Sequence, residues 1–102
     1  MKQARIEIQK ELIEEFCRKR HIRKLAIFGS VLRDDFHPDS DVDVLVEFDP
    51  NTDDSFDRYL ETQDFLTSLF RHRVDLVEKS AIRNPFRRHS ILTSQEVIYA
   101  AT

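Results

Sequence analysis

Apolar residues recur along this chain with two spacings, and each spacing names an element. From the N-terminus to about Arg20, Ile6, Ile13 and Cys17 fall with Leu12 and Phe16 at helical intervals, which predicts an amphipathic helix. Leu25-Ala-Ile-Phe28 is a short apolar run halted by Gly29 and reads as a buried strand. From Asp41 to Phe48 the chain alternates strictly, as a second strand does, and Asp49-Pro-Asn-Thr-Asp-Asp54 has the composition of a turn. Between about Ser55 and Phe70 a helical stripe runs through Phe56, Tyr59, Leu60, Gln63, Leu66 and Leu69, broken only by Gln63. Arg73 to Val77 reads as a third strand. Pro85 opens a last helix to about Ser94, and Val97-Ile-Tyr99 forms a short closing strand. The order predicts an α/β (α+β) domain, a small mixed sheet with helices packed on it.

Length and composition narrow the classes. The 102 residues hold one core and therefore one domain, 1–102, and 40% hydrophobic with 34% charged residues suits a globular chain. A formal net charge of -3 gives no electrostatic drive toward nucleic acid, so a polynucleotide is an unfavoured direct substrate. The charged N-terminus lacks the apolar run of a secretory signal, and no stretch is long enough to span a membrane. Cys17 is the single cysteine, which excludes an internal disulfide, points to the cytoplasm, and reads as a buried structural thiol.

The second strand carries the chemistry. Alternate strand residues share a face, so Val42, Val44, Val46 and Phe48 form an apolar side, while Asp41, Asp43, Leu45 and Glu47 form the other. Aspartate fits strand interiors poorly and is costly to desolvate without compensation. Asp41 and Asp43 stand about 7 Å apart along a strand, a span that accommodates two cations about 3.5–4 Å apart. Asp75 interrupts the third apolar run and joins them if the two strands are neighbours. Three carboxylates form a hard-oxygen site suited to magnesium or manganese rather than zinc. Gly29, the only glycine, and Ser30 lie where a strand turns into a short helix. Close backbone approach, exposed amides and a hydroxyl make a phosphate cradle there. Gly-Ser, ten residues, then Asp-x-Asp arises by chance in roughly one chain per thousand of this length.

Phe28-Gly-Ser-Val-Leu-Arg-Asp-Asp-Phe-His-Pro-Asp-Ser-Asp-Val-Asp-Val-Leu-Val-Glu-Phe48 resembles the signature of the DNA polymerase β-type nucleotidyltransferase superfamily. It is similar in particular to the minimal nucleotidyltransferase branch, and Val74-Asp-Leu-Val77 and Glu96-Val-Ile-Tyr99 extend the resemblance over nearly the whole chain. The resemblance implies a polymerase β palm-like fold in which Gly29 and Ser30 bind the triphosphate of ATP. It further implies that Asp41 and Asp43 ligate two magnesium ions and Asp75 the catalytic one. Relatives of this branch act as antitoxins that add AMP to a tyrosine of a partner HEPN ribonuclease toxin, which implies a hetero-oligomer with that partner. Leu32 and Asp34 depart from the small residues common in relatives, while Arg33 keeps the basic position and can contact phosphate or the partner.

Blander roles remain beside these. Asp34, Asp35 and Asp39 read as solvated loop residues, and Ser40 as either a nucleotide contact or an orienter of its loop. Arg83, Arg87, Arg88 and His89 read as a solvated helix face ahead of a binding patch, and His37 and His72 as structural or surface residues. Two other functions stay open: transfer to a small molecule of the aminoglycoside kind, and an antitoxin that acts by binding alone.

Overall fold

A strand that is apolar on both faces has to be covered from both sides, and the run ending at Phe28 sets the architecture in this way. In the computed structural model, which describes residues 6–34, 36–50 and 56–101, β1 (Ile22–Phe28) is an inner strand of a four-stranded sheet. β2 (Val42–Phe48) and β4 (Glu96–Ala100) flank it antiparallel. β3 (Val74–Glu78) joins parallel to β2, giving the order β3-β2-β1-β4 and the mixed sheet expected. The helices are α1 (Lys10–Lys19), α2 (Phe56–Phe70) and α3 (Pro85–Ser94). A 3-10 turn over Gly29–Leu32 follows β1, and a second over Lys79–Ala81, not foreseen, follows β3.

One sheet face presents Val42, Val44, Val46, Val74 and Leu76 to Ile13 and Cys17 of α1 and Leu66 and Phe70 of α2. Burial there contributes about 1.5–3 kcal/mol per large aliphatic side chain. Phe16 and Phe65 stack at 4.0 Å between the helices, and Arg20 meets Glu61 at 2.8 Å. Burial pushes the Cys17 thiol up to about 12, so it stays protonated. A smaller cluster covers the other face, with Ile82 and Ile91 on Ala26, Phe28 and Leu45. Pro85 opens α3 as expected, and the Asn84 side chain caps it by accepting from Phe86 N and Arg87 N.

Several expectations need correction. The first helix starts at Lys10 rather than near the N-terminus, and Leu12 is exposed although Ile13 and Cys17 are buried. β1 starts at Ile22, earlier than the apolar run. Residues 1–5, Asp35, Asn51 to Asp54 and Ser55 lie outside the described residues, and with them most of the expected turn. In α2 the expected stripe holds in part, with Leu66 buried and Tyr59 and Leu69 packed against the core. Phe56 is 71% and Leu60 40% exposed, while Arg58 and Thr62 are buried on a line with Leu66 and Phe70. Two polar side chains tolerate this because Arg58 lies over the Phe48 ring at 4.4 Å and Thr62 Oγ1 donates to Arg58 O at 2.8 Å.

The polar break in that stripe has a purpose. Arg73 O accepts from Val42 N, so by strand alternation the carbonyls of Val74 and Leu76 point to the free edge of β3. Gln63 Nε2 donates to Val74 O at 3.0 Å, and Tyr59 Oη, one turn earlier, donates to Leu76 O. Side chains of α2 thus occupy an edge that would otherwise accept another strand.

α1 and α2 are each followed by a left-handed residue that is not glycine, His21 at φ 56° and Arg71 at φ 57°. A β-carbon in that region costs about 1–2 kcal/mol. Arg71→Gly is therefore expected to stabilise the fold by about 0.5–1 kcal/mol, measured as a raised midpoint in urea; a lowered midpoint would refute the strain at this position.

Candidate active site

β1 ends where Phe28 pairs with Asp43, and the chain must then turn sharply away from the sheet. Gly29 makes that turn at φ 78°, in the left-handed region. An added β-carbon would land on Asp43 Oδ2, well inside van der Waals contact, with Cγ at 3.3 Å. The glycine thus leaves room for one particular carboxylate. Ser30 follows in the 3-10 turn, its hydroxyl 3.5 Å from the carbonyl of Asp41.

The parallel register of β2 and β3 sets Asp43 opposite Asp75. Paired residues of adjacent strands project to the same side, and this side is opposite the buried Val42, Val44, Val74 and Leu76. Asp43 and Asp75 therefore share a face at one end of the sheet, beside Gly29. Asp41 precedes β2 by one residue, and its Oδ1 lies 3.0 Å from Arg73 Nε in an exposed ion pair. Among the described residues no three His, Cys, Asp or Glu side chains converge closely enough to hold a metal in this arrangement.

Partial burial raises the Asp43 carboxyl above the usual carboxylate range, and the charges of Asp75 and then Asp41 raise it further, while Arg33 and Arg87 oppose the shift. A carboxylate whose folded pKa is raised is least favourable when ionised. Its contribution to stability is present below its unfolded pKa and is lost as the pH rises through the raised folded value. Removing the charge as Asp43→Asn is accordingly expected to raise the melting temperature near pH 7, and the advantage should vanish near pH 3. Melts across that range check this; an Asn variant less stable than the parent at neutral pH would contradict it.

The remaining expected residues are distributed around this end. Arg33 follows the 3-10 turn and acts on Asp43 electrostatically. Ser40 is committed to its own loop, its hydroxyl accepting from His37 N at 3.1 Å and its amide donating to His37 O at 2.9 Å. The ring nitrogen Nδ1 of His72 lies 3.1 Å from Ser40 O and ties that loop to the start of β3. Two residues at this end, His72 and Arg73, had no functional signal in the sequence, and each meets the site through a tertiary contact rather than through a motif. Arg87, of the basic cluster on the last helix, acts on Asp43 through its charge.

The donor set suits a hard divalent cation, since every candidate ligand is a carboxylate oxygen and Gly29 leaves room for that of Asp43. Gathering all three would require Asp41 to exchange Arg73 for the cation, a modest cost for an exposed ion pair.

Residues 9–98 match the family model described as nucleotidyltransferase domain. A candidate protein adenylyltransferase of Methanocaldococcus jannaschii is 38% identical over 81 residues, 79% of either chain. The protein adenylyltransferase MntA of Thermococcus cleftensis is 35% identical over 91 residues, covering 89% of this chain and 83% of the relative. Among solved structures, a chain identified as a candidate minimal nucleotidyltransferase superposes with TM-score 0.71 at 26% identity, covering 86% of this chain and 87% of that one. A chain from the complex of a tri-AMPylated Shewanella oneidensis HEPN toxin with an MNT antitoxin gives TM-score 0.59 at 18% identity, covering 90% and 70%.

Proposed function

Because the chain belongs to the nucleotidyltransferase domain family, we propose that it transfers AMP from ATP to a hydroxyl of a partner protein, and that it acts as the antitoxin of a HEPN toxin. Relatives named protein adenylyltransferases support the reaction, and the complex of a tri-AMPylated HEPN toxin with its MNT antitoxin supports the partner; a tyrosine is the acceptor in this reading. The observation that carries the reading is the pairing of Asp43 with Asp75 beside the left-handed Gly29.

In this reading Asp41, Asp43 and Asp75 would hold divalent cations, two magnesium ions by preference, with manganese as a substitute. When bound, these cations neutralise charge on the triphosphate and help align the attacking and leaving oxygens. The chain's own groups do the rest. Gly29 and Ser30 bind the phosphates through backbone N–H groups and the Ser30 hydroxyl. Arg33 adds positive charge at the same end of the sheet. A carboxylate oxygen of Asp75 accepts the proton of the acceptor hydroxyl. The hydroxyl oxygen forms a bond to the α-phosphorus, the bond from that phosphorus to the bridging oxygen breaks, and pyrophosphate leaves. Ser40, tied to His37 and His72, keeps the loop before Asp41 in place.

The test is intact mass of the cognate partner after incubation with this protein, ATP and magnesium. Gain of one or more AMP units on the partner is the expected result. A partner that binds and is neutralised but gains no mass would replace the enzyme with a binding antitoxin.

A further inference from the structure

A seat that gathers carboxylates, divalent cations and a triphosphate needs more positive charge than the cations bring. Cations and triphosphate roughly offset each other, which leaves the aspartates uncompensated. Arg73 is engaged with Asp41, and Arg33 approaches from the turn after β1.

α3 supplies another guanidinium. Ile91, its one buried residue, packs in the same cluster as Phe28 and Leu45. Phe28 is the cross-strand partner of Asp43, and Leu45 is the next residue of β2 on the Asp43 face. Arg87 precedes Ile91 by one helical turn and so lies on the same side of α3, toward the sheet. Its positive charge acts on the Asp43 carboxyl across that face.

We propose that Arg87 is a phosphate-contacting residue of this site, binding the triphosphate from α3 while Gly29 and Ser30 hold it from the end of β1. The inference rests on the transferase reading above. A planar guanidinium can donate two parallel hydrogen bonds to a phosphate, which an ammonium cannot. Arg88, the next residue, instead lines a cavity with Arg23, Glu47 and Lys79, near the far end of β2 from Asp43.

The experiment is a calorimetric titration of the whole protein with AMP-PNP and magnesium, which requires no turnover. Wild type is compared with Arg87→Ala, Arg87→Lys and Arg88→Ala. Alanine is a strong helix former at these exposed positions, so the fold should persist, and melting curves verify it. Arg87→Ala is expected to weaken binding by about 10- to 100-fold, as loss of a charge-assisted hydrogen bond does. Arg87→Lys should recover part of that loss, and Arg88→Ala should bind like the wild type. Arg87→Ala binding within about twofold of the wild type would overturn the proposal, and so would equal losses in the two alanine variants, which would signify only a change in net charge. If the wild type itself fails to bind, the transferase reading falls and takes this inference with it.

Discussion

Asp43→Asn is expected to lower the rate of AMP transfer by about 10³-fold or more while leaving the protein folded. A ligand to catalytic cations supports several kcal/mol of transition-state stabilisation, and each 1.36 kcal/mol is worth about tenfold in rate. The amide keeps the shape of the carboxylate, so Gly29 still clears it, and it removes a charge that Asp75 and Asp41 disfavour. Activity and stability should therefore move in opposite directions at neutral pH, and that divergence separates a functional acid from a structural one. Initial rates of mass gain on the partner, set beside melting curves of the same preparations, measure both. A variant retaining more than about a tenth of the parental rate would remove Asp43 from the reaction, since a tenfold change is only about 1.4 kcal/mol.

The second large effect belongs to Gly29→Ala. Backbone strain at φ 78° alone costs about 1–2 kcal/mol, and the new methyl group also meets Asp43 Oδ2. Either the turn shifts or the carboxylate rotates, and both displace groups that the proposed reaction would need aligned. A loss of about 10²-fold in rate is expected from a misplacement of this kind, together with a lowered melting temperature. The two contributions separate in a double variant. With Asp43→Ala in the background the carboxylate is gone, so Gly29→Ala should cost only the backbone strain and its stability penalty should shrink. Equal penalties in both backgrounds would mean that the close approach to Asp43 has no energetic consequence.

Much of this site is legible in the amino-acid order because its chemistry violates strand habits. Aspartates at 43 and 75 interrupt apolar runs, and a lone glycine ends the first strand, so each announces itself locally. Alternation assigns faces within one strand but does not say which strands are neighbours or in what sense. The parallel pairing of β2 with β3 is a tertiary fact, and it is what brings Asp75 beside Asp43. Arg73 is illegible for a related reason, and Arg87 shows only as one member of a basic cluster, since an exposed arginine has no pattern until its neighbours are known. The inward line of α2 is only partly legible because side-chain reach, as well as apolar character, decides which positions are buried. Arg58 can lay its guanidinium over the Phe48 ring, and Thr62 can satisfy its hydroxyl on its own helix, so polar positions occupy the inward line. The exposed Phe56 then lies outside it.

The hydrogen bonds from Tyr59 and Gln63 to β3 bear on how copies of this protein could associate. A sheet with two available margins can recruit a neighbour at each and grow without limit. Here one margin is already occupied by the chain's own helix, so recruitment through β4 would end with a closed couple rather than a fibre.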